Sequence, residues 1–224
     1  MEIKAVIFDM DGLMLDSERI VQRSWNIVGG RMGYGYLGED IYHTMGLNVV
    51  RREEYFKGKY GKKFPFQEFL TDYKKEYCKY VNENGIDAKP GLYQLLETLK
   101  QLGIPMAVAT STSRDSAMKN LEEKNVTSYF EGFVCGDMVK DAKPSPEIYL
   151  KACEVVGVNP KDAIALEDSF NGIKAAYAAG MMPVMVPDLI KDTSEVDDLL
   201  FAKKNDLNEV AEWIRSNRLE LGNR

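Results

Sequence analysis

The chain has 224 residues, of which 45% are hydrophobic and 29% charged, a composition typical of a globular protein. Its formal net charge of −6 argues against a nucleic-acid surface, because phosphate backbones are bound by basic stripes. There is no apolar run of bilayer length and no signal-peptide pattern at the N-terminus, so we expect a cytoplasmic protein without a membrane partner. Cys78, Cys135 and Cys153 are odd in number, which predicts free, buried thiols in a reducing compartment.

The first predicted element is a short apolar run, Ala5–Phe8, too short for a helix and rich in β-branched and aromatic residues. Such a run predicts a strand buried on both faces. Asp9 and Asp11 follow directly, and side chains two residues apart in an extended chain project to the same side. Both would then face one pocket at the carboxyl end of the strand, where open α/β sheets bind ligands. The alternative is a polar turn in which Gly12 supplies the bend.

Residues 17–86 are predicted to form a helical insert. Helices are expected over 18–28 and 64–84, where apolar residues recur at three- and four-residue spacing, while 29–61 contains several glycines and tyrosines and no strand-like run. Residues 33–38 fit G-x-G-x-x-G, the dinucleotide-binding fingerprint. That pattern has meaning only between a strand and a helix, so we expect no nucleotide site there.

After the insert, strands alternate with helices. The predicted helices cover 92–102, 114–124, 146–156, 169–179 and 208–217, and the predicted strands cover 104–109, 133–135, 163–166 and 183–186. This alternation indicates a parallel sheet covered on both faces. Because the first strand precedes the insert, the insert interrupts one domain. We therefore predict an α/β fold with a Rossmann-like core over residues 1–16 and 87–224 and an inserted helical domain over 17–86.

Polar residues follow the second strand of the core as the sequence T-S-T-S, residues 110–113. They could cap the helix that begins at 114, and Thr112 with Asp115 makes a capping-box pattern. Capping is compatible with anion binding, because free N–H groups at a helix start also suit phosphate.

Two more polar groups lie at strand or helix ends. Lys143 precedes a proline and a predicted helix, and its alternative role is that of a solvated surface lysine. Glu167, Asp168 and Ser169 follow the predicted strand ending at 166, and their alternative role is a helix cap. Each group alone is a weak signal, but their joint occurrence at strand ends of one predicted sheet is a strong one.

These residues together predict phosphoryl chemistry. Four converging carboxylates (Asp9, Asp11, Glu167, Asp168) would repel one another without a cation, and an all-oxygen set suits Mg²⁺. Lys143 would neutralise a phosphoryl oxygen, and the Thr110 hydroxyl and Ser111 backbone N–H could hold the others. One aspartate could then attack the phosphoryl group while the other transfers protons.

With these motifs in place, the chain resembles the haloacid dehalogenase (HAD) superfamily. Four segments are similar to its four motifs: Asp9-Met10-Asp11-Gly12, Thr110, Lys143 before Pro144, and Glu167-Asp168. The insert resembles the C1-type cap of the β-phosphoglucomutase-like phosphatases. The resemblance implies that Asp9 is the nucleophile of an aspartyl-phosphate and that Asp11 is the general acid/base. It further implies Mg²⁺ ligation by Asp9, by Asp168, by the Asp11 backbone carbonyl and, through water, by Glu167, and phosphoryl binding by Thr110, Ser111 and Lys143.

Departures from relatives within that superfamily favour hydrolysis. Dehalogenases lack the second aspartate, here Asp11. Sugar-phosphate mutases carry a histidine where this chain has Val21, and a lysine near the second motif where this chain reads Thr112-Ser113-Arg114. We therefore expect a monomeric Mg²⁺-dependent phosphatase of a small phosphorylated metabolite, either a sugar phosphate or a nucleotide-derived monophosphate. A β-phosphoglucomutase-like mutase and a non-catalytic phosphometabolite-binding protein are the alternatives.

The cap is expected to choose the substrate. Residues 43–47 resemble its specificity loop, followed by Arg51 and Arg52, whose alternative role is a solvated helix face. Closure of a cap would keep water out until the phosphoryl group has moved. Residues 13–15 and 84–89 are the predicted hinges.

Overall fold

The computed structural model describes residues 3–44, 49–190 and 192–222. The chain divides into two compact units. The core unit comprises Met1–Leu15 and Ala88–Arg224, and the helical unit comprises Asp16–Asp87. In the described part of the chain, no helix is long and apolar enough to cross a membrane.

The core unit contains a six-stranded sheet in which every strand pairs in parallel with its neighbours, in the order β3-β2-β1-β4-β5-β6. The strands are β1 Ala5–Phe8, β2 Met106–Ala109, β3 Gly132–Val134, β4 Ala163–Glu167, β5 Met182–Met185 and β6 Ala202–Lys203. β1 therefore lies in the middle of the sheet although its partners follow the insert. The α/β class and the parallel sheet predicted from the sequence are confirmed.

Nine α-helices are assigned in the described residues. The helical unit holds α1 Ser17–Arg31, α2 Ile41–Thr44, α3 Val49–Tyr60 and α4 Phe66–Asn84, and the core unit holds α5 Leu92–Gln101, α6 Arg114–Glu123, α7 Glu147–Val156, α8 Phe170–Ala178 and α9 Leu207–Gly222. Among the described residues of the helical unit there is no strand. The chain between the two halves of the core unit is thus helical, as its periodicity predicts.

Alternating residues of the central strands pack on opposite faces of the sheet. Ala5 and Ile7 of β1 join a buried cluster with Ile148, Tyr149 and Ala152 of α7. Phe8 belongs to the opposite face, where its ring meets that of Phe130 edge to face with centroids 5.6 Å apart. Since all four residues of β1 are fully buried, the strand is covered on both sides, as continuous apolar strands of parallel sheets are.

The helical unit has its own aromatic core. Trp25 of α1 packs against Phe56 of α3 and against Phe69 and Tyr73 of α4, with ring centroids 5.3–5.7 Å apart. These rings are all buried. Edge-to-face contacts of this kind add to the free energy gained by burying the apolar surface of each ring.

A buried carboxylate with three side-chain donors, that of Asp40, adjoins this aromatic core. Asp40 follows α1 in a short 3-10 turn, Gly38–Asp40, and its carboxylate accepts hydrogen bonds from Tyr55 Oη at 2.6 Å and Tyr60 Oη at 2.5 Å. The Lys59 ammonium donates to the same carboxylate. We refer to Asp40, Tyr55, Lys59 and Tyr60 as the Asp40 cluster. It fastens the turn to α3.

Several predicted boundaries need correction. Helix α3 lies in the stretch 29–61, which the sequence assigned to the helical insert without helix bounds. Its apolar periodicity is weak, because Phe56 is the one residue of α3 that is buried. The two-residue strand β6 was also missed. α1 continues to Arg31 because Val28 and Gly29 are packed in the interior.

The cysteine and glycine patterns also have structural outcomes. Cys135 and Cys153 are free and buried, as predicted, but Cys78 is exposed, because it is not among the residues that α4 buries. Residues 33–38 form the connection after α1, and Gly38 N–H donates to Asn26 Oδ1 at 2.7 Å. The glycine-rich stretch therefore packs onto helix α1 and directly follows that helix, not a strand.

Candidate active site

The predicted polar groups of the core unit meet at one edge of the sheet. Phe8 of β1 is in register with Val108 of β2 and with Leu166 of β4, so the three strands end together. Asp9 N–H continues the ladder to Leu166 C=O at 3.0 Å. This alignment brings the residues that follow each strand to the carboxyl edge, where open α/β sheets bind ligands.

Three buried carboxylates converge at this edge. Asp9, Glu167 and Asp168 each offer a carboxylate oxygen, and these oxygens lie within 4.8 Å of one another. All three residues are at least 93% buried. Gly12 makes room for Asp168: its φ is +83°, and a Cβ on residue 12 would lie 2.2 Å from Asp168 Oδ2. An L-residue would therefore be strained and would displace that carboxylate.

Lys143 joins two of the carboxylates. Its Nζ donates to Asp9 Oδ1 at 2.5 Å and to Glu167 Oε1 at 2.6 Å, and also to the backbone carbonyl of Ala109 at 3.0 Å. The Lys143 side chain is 6% exposed. The alternative of a solvated surface lysine is therefore wrong.

Tyr149 is a member of this network that the sequence analysis missed. Its Oη donates to Glu167 Oε1 at 2.6 Å and accepts a longer hydrogen bond from Lys143 Nζ at 3.4 Å. Its place on the apolar face of α7 reads as an ordinary core aromatic, and only the phenolic oxygen sets it apart. Burial and the charge of Glu167 raise the pKa of Tyr149 well above its ordinary value, so the hydroxyl stays a donor.

The second oxygen of Glu167 is held by the start of α8. Glu167 Oε2 accepts hydrogen bonds from the backbone N–H groups of Asp168 and Ser169, both at 3.2 Å, and from Ser169 Oγ at 3.0 Å. Ser169 also accepts from Gly172 N–H at 3.1 Å, so it caps α8. The cap interpretation is thus correct for Ser169, while Glu167 belongs to strand β4 and to the carboxylate group.

The charges of this group do not balance. Burial raises the pKa of Asp9 to about 8, and the nearby carboxylates of Glu167 and Asp11 add to the rise, while Lys143 opposes it. Burial disfavours the charge of Lys143, but the carboxylates of Asp9 and Glu167 raise its pKa above the ordinary value. One ammonium thus faces three carboxylates. The excess of buried negative charge and the all-oxygen donor set fit a divalent cation.

Asp11 differs from the other predicted carboxylates. It is not a member of the group of three, so the expected convergence of four carboxylate side chains is corrected to three. Instead Asp11 Oδ2 accepts a hydrogen bond from Thr112 Oγ1 at 2.7 Å. This contact also corrects the predicted capping box of Thr112 and Asp115, because the N-cap of α6 is Ser113, without a side-chain cap bond.

The two predicted phosphate-binding residues after β2 lie at the same edge. Thr110 is 1% exposed, and its Oγ1 accepts from Thr112 N–H at 3.1 Å. Ser111 is exposed. Thr110 N–H donates to Val134 C=O at 3.0 Å, which ties this loop to the end of β3.

The residues predicted to choose the substrate belong to the helical unit. His43 is exposed at the end of α2 and stacks on Tyr55, and residues 45–47 of the predicted specificity loop lie outside the described residues. Arg51 is exposed, but Arg52 is partly buried. The Arg52 guanidinium lies 5.6 Å from the Trp25 ring centre and donates to Tyr73 Oη at 3.4 Å. The solvated-face interpretation is therefore wrong for Arg52.

Comparison with known proteins agrees with this geometry. The sequence profile of the haloacid dehalogenase-like hydrolases matches residues 6–186. The chain is 34% identical to a phosphorylated carbohydrates phosphatase of Thermotoga maritima, over 80% of this chain and 82% of that protein. The fold is also similar to two crystal structures. One is the phosphate complex of CbbY from Rhodobacter sphaeroides, which is 26% identical with a TM-score of 0.75 over 93% of this chain and 96% of that chain. The other is β-phosphoglucomutase from Clostridium difficile, which is 22% identical with a TM-score of 0.76 over 99% of this chain and 100% of that chain.

The parallel α/β fold and the carboxylate group at the edge of its sheet thus agree with the family that the profile match identifies. The chain belongs to the haloacid dehalogenase-like hydrolase family, and within that family to the phosphatases. The mutase structure, at 22% identity, supports the fold alone.

Proposed function

We propose that the chain is a Mg²⁺-dependent phosphatase that hydrolyses small phosphorylated metabolites through an aspartyl-phosphate on Asp9. The observation that carries the proposal is the buried group of three carboxylates joined by Lys143 at the carboxyl edge of the sheet. A sugar phosphate is favoured as substrate because a 34% identical relative is named for phosphorylated carbohydrates. A nucleotide-derived monophosphate is the second substrate class.

The proposed metal ligands are oxygens of the core unit. Asp9 and Asp168 would bind Mg²⁺ directly, together with the backbone carbonyl of Asp11, and Glu167 would support it through water. Bound Mg²⁺ would supply positive charge that reduces the repulsion between Asp9 and the phosphoryl oxygens. Ionised Asp9 is the nucleophile, and a nearby cation favours that form over the protonated one.

In the first half of the proposed reaction, an Asp9 carboxylate oxygen attacks phosphorus. The bond between phosphorus and the leaving oxygen breaks, and Asp11 gives its proton to that oxygen. Lys143, the Thr110 hydroxyl and the Ser111 backbone N–H bind the phosphoryl oxygens and stabilise the charge that develops on them.

In the second half, Asp11 acts as a base. It takes a proton from water as the water oxygen attacks the phosphorus atom held by Asp9, and the bond between phosphorus and Asp9 breaks. Inorganic phosphate leaves, Asp9 is again a carboxylate and Asp11 is again protonated. The helical unit is proposed to act as the cap that selects the substrate, with residues 13–15 and 84–89 as hinges.

The second candidate function is a sugar-phosphate mutase, favoured by the 29% identity to a β-phosphoglucomutase-like structure from Thermotoga maritima with a TM-score of 0.76. Val21 and the segment Thr112-Ser113-Arg114 depart from the mutase pattern, so hydrolysis is preferred. A coupled assay with β-glucose 1-phosphate separates the two: rapid formation of glucose 6-phosphate supports the mutase, and release of inorganic phosphate supports the phosphatase.

A phosphate-release screen tests the proposal as a whole. Purified protein is assayed on a panel of sugar phosphates and nucleoside monophosphates with Mg²⁺ and, in parallel, with EDTA. We expect release from at least one sugar phosphate and loss of that activity in EDTA. Tight binding of these compounds without any release would contradict the proposal and favour the non-catalytic alternative.

A further inference from the structure

The hydroxyl of Thr112 forms a hydrogen bond with Asp11, the residue proposed as the general acid and base. Thr112 Oγ1 donates to Asp11 Oδ2 at 2.7 Å. We propose that Thr112 is a positioning residue that fixes the orientation of the Asp11 carboxyl group for proton transfer. This inference rests on the proposed function, because Asp11 exchanges protons only if the chain cleaves a phosphate ester.

The backbone of Thr112 is held on both sides. Its N–H donates to Thr110 Oγ1 at 3.1 Å, and its carbonyl accepts from Gly136 N–H at 2.9 Å. Thr110 in turn donates its own N–H to Val134 C=O at 3.0 Å. The loop is thus tied to the ends of β2 and β3, and the Thr112 hydroxyl extends from a fixed backbone. Supporting bonds of this kind are what hold a reacting side chain in its productive geometry.

Orientation matters for Asp11 because a carboxyl group rotates easily about the bond to its Cβ. The torsion of an aspartate carboxyl is broad, with no single staggered minimum. A general acid must lie within hydrogen-bond reach of the oxygen that receives its proton. A hydrogen bond to a carboxylate oxygen is short and strong, so the bond from Thr112 restricts that rotation.

Helix capping does not account for the Thr112 hydroxyl. The N-cap of α6 is Ser113, and the N–H of Arg114 in the first turn donates to the carboxylate of Asp137 at 3.1 and 3.2 Å. A carboxylate from the loop after β3 therefore serves the helix start. The Thr112 hydroxyl donates to Asp11 instead, so it contacts the proposed general acid and does not cap the helix.

The test compares Thr112→Val with Thr112→Ser. Valine keeps the β-branched shape and removes the donor, whereas serine restores the donor. The matched control is Ser113→Ala, because the Ser113 hydroxyl lies 3.3 Å from Ser116 Oγ and has no contact with Asp11 among the bonds described. All variants and the wild type are assayed with Mg²⁺ on phenyl phosphate and on p-nitrophenyl phosphate. Far-UV circular dichroism and thermal unfolding check the fold.

We expect Thr112→Val to lower kcat/KM for phenyl phosphate by about 30-fold and for p-nitrophenyl phosphate by only about threefold. The two esters differ in this way because p-nitrophenolate leaves readily without a proton and phenolate does not. Thr112→Ser should regain most of the loss, and Ser113→Ala should stay within about twofold of the wild type.

Three outcomes would overturn the inference while leaving the proposed function in place. One is an equal loss of kcat/KM on both esters, which indicates a general structural defect. The others are a serine variant as slow as the valine variant, and a valine variant as fast as Ser113→Ala. A wild-type protein that releases phosphate neither from these esters nor from any compound of the metabolite panel would instead contradict the proposed function, and the inference with it.

Discussion

Asp40 of the helical unit and Asp9 of the core unit are both buried aspartates that accept a hydrogen bond from a lysine, yet their pKa values move in opposite directions. Burial alone would raise the pKa of Asp40, but hydrogen bonds from Lys59, Tyr55 and Tyr60 outweigh it and lower the pKa below its ordinary value. One carboxylate in the Asp40 cluster thus has three donors and one positive charge.

The core unit combines the same side-chain types in another ratio. There the Lys143 ammonium is the positive charge that contacts the group of three carboxylates in the described structure, and the other donors to Glu167 (Tyr149, Ser169 and two backbone N–H groups) are neutral. Burial and the neighbouring carboxylates raise the pKa of Asp9 to about 8 although Lys143 opposes the rise. A buried carboxylate with enough hydrogen-bond donors can hold a turn in place, as Asp40 does. An excess of buried carboxylates costs stability unless a cation joins them, and such an excess is typical of a site built for chemistry.

The largest effect is expected at Asp9, the proposed nucleophile. Asp9→Asn should lower phosphate release by at least about 10³-fold, because an amide oxygen is not a nucleophile of this kind. The protein should remain folded, since the neutral amide avoids the burial of a charge. Initial rates and circular dichroism measure the two effects.

The matched control is Asp162→Asn, which replaces an aspartate that pairs with the exposed Lys4 at 3.1 Å. Its rate should stay within about twofold of the wild type, as a surface ion pair contributes little. Retained turnover in Asp9→Asn would refute the role of Asp9.

The Asp40 cluster should affect stability instead. Asp40→Asn replaces the acceptor of three donors by an amide, and we expect the free energy of unfolding to fall by about 2 kcal/mol at neutral pH. Urea unfolding measures the change. The control Asp72→Asn, in the same unit, removes an exposed pair with Lys75 and should cost less than about 0.5 kcal/mol. An equal loss of unfolding free energy in the two variants would show that the Asp40 cluster stabilises the fold no more than an exposed ion pair does.

The difference in unfolding free energy between the wild type and Asp40→Asn should also depend on pH, by less than the full effect of the substitution. Because the pKa of Asp40 is lowered on folding, its contribution is present above the unfolded value of 3.8 and is lost as the pH falls through the lower, folded value. The gap between wild type and Asp40→Asn should therefore be constant from pH 5 to 7 and should narrow below about pH 4. A gap that widens in acid would reverse the sign of the argument. Urea unfolding at each pH measures it.

The sequence predicts the residues at strand ends better than it predicts the contacts between distant side chains. The strand end at Asp9, the lysine at 143 and the acidic pair at 167 and 168 are recognisable because each follows an apolar run or opens a helix. The parallel sheet brings those ends together by a simple geometric rule. The core fold and the carboxylate edge could therefore be anticipated from pattern and spacing.

What could not be anticipated depends on tertiary contacts. Tyr149 reads as a core aromatic of α7, and only folding brings its hydroxyl to Glu167. Thr112 reads as part of a capping box, yet its hydroxyl bonds a residue 101 positions away. Helix α3 has a single buried residue, Phe56, so its apolar periodicity is too weak to detect.

Calorimetric titration of Mg²⁺ into the substrate-free protein tests most directly whether the surplus of carboxylates in the core unit binds a cation. The wild type should bind one Mg²⁺. Asp40→Asn should bind it equally well, and Asp168→Asn should bind at least about tenfold more weakly, because it loses a carboxylate of the buried group. Absence of Mg²⁺ binding to the wild type, or binding that Asp168→Asn leaves unchanged, would contradict the account.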